Sequence, residues 1–118
     1  MKIEKISALL IVITLSACGE QVAGPGAVAE TASRQLHPGD QTIAEIYNRS
    51  CRSCHTVAAT GAPLTGDIAA WRPRLDKGMS TLLDNVINGF AGMPPLGLCM
   101  DCDVEQFEAL IQFMAAGE

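Results

Sequence analysis

Aromatic residues are scarce in this chain. Three Phe, one Tyr and one Trp are spread over 118 residues, which is little material for the centre of a domain. A basic excess is lacking too: 8 Lys and Arg stand against 13 Asp and Glu, for a formal charge of −5. That balance argues against nucleic acid or anionic lipid surfaces as partners and points to proteins that present a basic patch. No segment alternates apolar and polar residues as a half-buried strand does. Internal repeats and blocks of like charge are also absent. No apolar run reaches the roughly 20 residues of a membrane-spanning helix; Ile6 to Leu15 comes nearest and is broken by Ser7 and Thr14.

What is present begins with a processing segment. Lys2 and Lys5, a short apolar core and then small residues describe a secretory signal. Leu15-Ser16-Ala17-Cys18 resembles the bacterial lipobox, in which the signal (1–17) is cleaved before the cysteine and the Cys18 sulfur carries a diacylglycerol. A lipidated Cys18 also resolves the cysteine count. Of five cysteines, the other four fall into two C-x-x-C pairs. Loss of Lys2, Lys5 and Glu4 moves the formal charge from −5 to −6. The expectation is an exported protein, lipid-anchored to a bacterial membrane and facing the periplasm. Gly19 rather than Asp after the cysteine favours the outer membrane in some bacteria.

Gly19 to Gly39 contains Gly-Pro-Gly, several Ala and no periodicity, so residues 18–39 read as the lipidated cysteine and a flexible tether. A coil of roughly 20 residues spans on the order of 25 Å. The folded domain is expected over 40–118. Thr42-Ile43-Ala44-Glu45 has the form of a capping box, followed by Ile43, Ile46, Tyr47 and Ser50 or Cys51 on one face. Asp67 can cap a short helix through Leu75 that must accommodate Pro73. A third helix opens at Gly78 to Ser80, buries Leu82, Leu83, Val86 and Ile87, and ends near Gly89. Asp103 with Gln106 caps a last one, with Val104, Phe107, Leu110, Ile111 and Met114 as its apolar face and Gly117 as its stop. The fold class is therefore all-α, about four short helices. So small a core usually needs a metal, a disulfide or a cofactor to complete it.

Cys51-Arg52-Ser53-Cys54-His55 names a cofactor. C-x-x-C-H is the attachment motif of haem c, two sulfurs for the vinyl groups and a histidine for the iron. A four-cysteine zinc ribbon with Cys99 and Cys102 is the rival reading. It fails on spacing, because the stretch between the pairs far exceeds the roughly 15–20 residues of such ribbons and reads as helices. The second axial ligand could come from Met79, Met93, Met100, Met114 or His37. Met93 is preferred, since Pro94-Pro95 in a Gly-flanked loop makes a stiff, extended support for a thioether. Met114 reads as core, and His37 as a linker residue.

These stretches, with Gly61-Ala62-Pro63, Thr65-Gly66-Asp67, Ala70-Trp71, Lys77-Gly78-Met79, Asn88-Gly89-Phe90, Met93-Pro94-Pro95 and Cys99-Met100-Asp101-Cys102, resemble the cytochrome c5 family of class I c-type cytochromes. The resemblance covers about Ile43 to Met114. It implies a one-haem fold with Cys51 and Cys54 in thioether linkage, His55 and Met93 as axial ligands, and Cys99–Cys102 as a structural disulfide. It further implies that the Pro63 carbonyl accepts the proton on the far nitrogen of His55, and that Trp71 or Arg74 reaches a haem propionate. The function it implies is single-electron transfer between redox proteins in transient contact, not enzymatic turnover. The alternative is a haem enzyme or gas sensor with an open or displaceable distal position. Leu96-Gly97-Leu98 departs from the family, which commonly has a basic residue and glycines there. That substitution predicts docking by apolar contact with weak salt dependence.

Overall fold

A computed structural model of the chain describes residues 30–118. The signal segment, Cys18 and the residues up to Ala29 lie outside it. Among the described residues the architecture is helical, and the lone β feature is a bridge between Phe90 and Met93. In chain order the α-helices are α1 (Glu30–Ser33), α2 (Gln41–Ile46), α3 (Arg52–His55), α4 (Ile68–Leu75), α5 (Met79–Asn88) and α6 (Val104–Ala116). A π turn, Tyr47–Cys51, joins α2 to α3, and 3-10 turns lie at Ala58–Thr60 and Pro95–Leu98. Because α2, the π turn and α3 are continuous, the domain proper has the four helical runs expected.

Polar side chains set most helix limits. Asp67 accepts from the Ala70 amide at 3.0 Å. Asp103 and Gln106 form a reciprocal capping box, with bonds of 2.8 and 3.0 Å. Gly117 closes α6 in the left-handed region, φ 81°, where a side chain would be strained. The first helix departs from expectation: its cap is Asp40, which accepts from Ile43 N at 2.9 Å. Glu45 instead accepts from Gln41, one turn back. Pro73 sits inside α4, so the Ala69 carbonyl loses its intrahelical donor.

The core joins Ile46 and Tyr47 to Trp71, Leu82, Val86, Phe107, Leu110, Ile111 and Phe113. Tyr47 and Phe113 meet edge to face, centroids 5.0 Å apart, a favoured aromatic geometry. Two apolar stripes are narrower than their periodicity suggested: Ile87 is 39% exposed and Val104 is 49% exposed. Both lie at the margin of their helix face.

The expected tether needs a correction over its second half. Residues 30–36 form a strap laid against the domain. Ser33 is fully buried, and Leu36 fills a notch so tight that a Cβ on Gly66 would fall 2.5 Å from its Cδ1. Glu30 accepts from the Ala58 amide at 2.8 Å, and the Arg34 carbonyl accepts from Arg52 at 2.8 Å. Composition marked this stretch as linker, but its contacts are long-range and carried by isolated residues.

Candidate haem site

The continuous run from α2 to α3 presents the C-x-x-C-H residues on one wall of a cavity. The π turn inserts an extra residue into this run, with the Arg52 amide bonding back to the Tyr47 carbonyl. Such turns recur at functional sites because they re-aim the side chains that follow. Cys51 is half-buried, Cys54 is exposed and His55 is buried. The cavity measures about 540 Å³, and Cys51, Cys54, His55 and Met93 all line it.

His55 is held from several directions. Its Nδ1 lies 2.8 Å from the Pro63 carbonyl, which can only accept. That contact puts the proton on Nδ1 and leaves Nε2 as the nitrogen available to a metal. The His55 carbonyl accepts from the Thr65 amide at 2.7 Å, from Thr65 Oγ1 at 3.2 Å and from Ser33 Oγ at 3.4 Å. Thr65 Oγ1 in turn accepts from the Tyr47 hydroxyl, 2.9 Å away. Burial holds the His55 pKa below the ordinary imidazole value. The Pro63 bond opposes this shift, and the positive charge of Arg74 adds to it. The ring is thus kept neutral, the form that binds a metal. Burial also pushes the Cys51 thiol up to about 11, so it is protonated at neutral pH.

Met93, which lines the same cavity as His55, is fixed by a tight turn. Phe90 N donates to Met93 O at 3.0 Å, and Met93 N donates back to Phe90 O at 2.9 Å. Gly89 is required at φ +81°, because a Cβ there would meet Met93 O at 2.9 Å and Pro95 N at 3.0 Å. Gly97 lies under the thioether, where a Cβ would stand 3.3 Å from Met93 Cε. The support differs from a uniformly extended loop. Pro94 is extended (ψ 157°), but Leu96 and Gly97 then turn left-handed. Ala91 and Leu98 also have positive φ, at 51° and 66°.

Of the other ligand candidates, Met114 reaches the cavity but is 4% exposed and belongs to the core of α6. Met79 and Met100 do not line the cavity, and Met100 is 76% exposed. His37 is exposed just beyond the strap. Cys99 and Cys102 are joined by a disulfide with Cα atoms 5.4 Å apart. Arg49 reaches over this loop, with Nη2 2.9 Å from both Asp101 oxygens and 3.3 Å from Cys99 Sγ.

The charged groups lining the cavity are Arg74 and Lys77. Trp71 also lines it, but its indole N–H donates to the Leu64 carbonyl at 2.9 Å. Sequence reasoning missed Lys77, Ser33, Leu64 and Thr65. The Lys-Gly-Met and Thr-Gly-Asp stretches drew notice only as likeness, while nothing in the sequence marks Ser33. Taken together the residues fit a haem: two thiols, an imidazole with one free nitrogen, a thioether on the same cavity, apolar walls and two cations for the carboxylates.

The cytochrome c oxidase, cbb3-type, subunit III family matches residues 39–114. The chain is 37% identical to cytochrome c5 of Ectopseudomonas mendocina over 79 residues, 65% of this chain and 91% of the relative. Cytochrome c5 of Azotobacter vinelandii matches at the same identity and covers 90% of its length. A solved mono-haem ferrocytochrome c from Shewanella putrefaciens is 40% identical. It superposes with a TM-score of 0.59 over 69% of this chain and all of its own. A cytochrome c solved in an electron transfer complex with nitrite reductase is 32% identical, with a TM-score of 0.58 over 66% of this chain and 95% of that one. The chain therefore belongs to the cytochrome c5 family: it is a monohaem c-type cytochrome with covalently bound haem c, a one-electron carrier and not an enzyme.

Proposed function

We propose that Cys51 and Cys54 form the two thioethers, that His55 and Met93 fill both axial positions, and that Cys18 anchors the carrier by its lipid to a membrane facing the periplasm, where it exchanges electrons with respiratory redox proteins. The observation that supports the ligand set best is the single cavity shared by those four side chains. Haem c, when bound, supplies an iron that alternates between ferric and ferrous states. The chain's own residues do the rest. His55 offers Nε2 because Nδ1 is committed to Pro63, and that bond makes the imidazole a stronger ligand. Methionine on the other side favours the reduced state, and Arg74 and Lys77 can balance the propionates.

Docking follows from the cavity's rim. Phe90 is 58% exposed and Leu98 is 66% exposed, and both line the cavity. Lining charges are confined to Arg74 and Lys77, so a partner approaching at Phe90 and Leu98 meets apolar surface. Such a contact suits the small interfaces of transient redox encounters. A solved relative sits in a complex with nitrite reductase, which makes an enzyme of that class a suitable probe partner.

Three measurements test this reading. In optical spectra of the haem-loaded protein, Met93→Ala loses the weak red band of an iron–methionine bond, whereas Met114→Ala keeps it. Gly89→Ala weakens the band by forcing the turn open. Retention in Met93→Ala would reassign the ligand. With nitrite reductase as acceptor, Leu98→Lys makes the second-order rate several-fold more dependent on ionic strength, because charge now enters an uncharged contact. An unchanged salt profile would place docking elsewhere. Finally, Cys18→Ser moves the protein from the membrane fraction to the soluble periplasmic fraction; continued sedimentation with membranes would rule out the lipid anchor.

A further inference from the structure

We propose that Trp71 is a positioning residue for the axial histidine, not a propionate ligand. The inference rests on the reading of His55 as an iron ligand, and it begins with hydrogen-bond capacity. An indole carries one donor and no acceptor. In this chain that donor is spent on the Leu64 carbonyl, 2.9 Å away in a buried setting. A carboxylate could take the proton only by breaking this buried bond to the Leu64 oxygen, which the Asp67 amide, 3.0 Å away, also serves. Propionates in this cavity are therefore left to Arg74 and Lys77, the two cations that line it.

What the bond achieves is visible one residue upstream. Leu64 follows Pro63, whose carbonyl takes the His55 Nδ1 proton at 2.8 Å. Two successive carbonyls are thus pinned, one by His55 and the next by Trp71. The Trp71 ring also lies nearly parallel to the imidazole, with centroids 5.8 Å apart and planes 24° from each other. The imidazole is held at its edge by Pro63 and across its face by Trp71, and Trp71 also holds the carbonyl next along the chain from the edge contact. Asp67 contributes twice: its amide donates to the same Leu64 oxygen at 3.0 Å, and its side-chain cap on Ala70 N sets where α4 begins. Loss of Trp71 would remove one of the two donors on the Leu64 oxygen and the ring across the imidazole face. That would loosen the segment that carries the Pro63 carbonyl and weaken the Nδ1 bond. A less basic imidazole stabilises the ferric state less, so the potential rises.

Trp71 is the chain's one tryptophan, so labelling indole nitrogen yields one resonance in the haem-loaded wild type. That N–H is expected to exchange slowly and to keep its shift as pH crosses the carboxylate range. A shift that titrates with a carboxylate would overturn the proposal in favour of a propionate contact. In parallel, Trp71→Phe keeps an aromatic face without the donor, and Trp71→Leu removes both. Both should raise the midpoint potential, Leu more than Phe. For Leu the expected change is about threefold in the ferric-to-ferrous ratio at fixed potential, about 30 mV at 59 mV per tenfold. Wild-type potentials in both variants, with only the melting temperature lowered, would mean that Trp71 merely fills the core. If the variants do not load haem, the wild-type resonance still decides. Failure of the His55 assignment would look different: His55→Ala would keep the wild-type low-spin spectrum, whatever Trp71 does.

Discussion

The hydrogen bond from His55 Nδ1 to the Pro63 carbonyl is the constraint on which the rest of the site depends. It selects one tautomer, frees one nitrogen and aims it. A bond of this kind holds its geometry only if both ends are held, and here each is braced separately. On one side the His55 carbonyl gathers three donors from Thr65 and the Ser33 hydroxyl. On the other, Trp71 ties down the Leu64 carbonyl, one residue after Pro63. Both carbonyls accept from more than one donor, so the network resists loosening at any single point.

The methionine side is built by different means. Ala91, Leu96 and Leu98 all sit at positive φ, each costing about 1 kcal/mol or more for a residue with a Cβ. Gly89 supplies the turn in which no Cβ fits, and the Cys99–Cys102 bridge with Arg49 across it fixes the far end. Closing so short a loop contributes little chain entropy; the bridge acts by shaping the turn between the Met93 loop and α6. Residues from both sides line one cavity of about 540 Å³. The scarcity of aromatic residues and the size of the cofactor are two sides of one packing problem.

Much of this was legible in the sequence, and the reasons are local. Asp67, Asp103, Gly89 and Gly117 act on their own neighbours, so they announce helix ends without knowledge of the fold. C-x-x-C-H is likewise a local arrangement. What escaped was tertiary. Ser33 and Leu36 sit in an Ala-rich stretch with no period, and their burial depends on a surface formed by residues far along the chain. The direction of the Trp71 N–H depends on the loop at Leu64 lying within reach. Left-handed leucines carry no signal, because the usual markers of positive φ are Gly and Asn. The exposure of Ile87 and Val104 reflects how wide a stripe the partner helices cover, which periodicity alone does not give.

An electron carrier needs an iron whose surroundings are the same before and after transfer, with no position open to small molecules. Both walls of this cavity serve that end: a neutral, braced imidazole on one side and a locked thioether on the other. Carbon monoxide added to the reduced, haem-loaded protein tests the claim most directly. Filled axial positions predict an optical spectrum that does not change. Rapid formation of a carbonyl spectrum would contradict it, by revealing an open or easily vacated site and the chemistry of a haem enzyme or gas sensor.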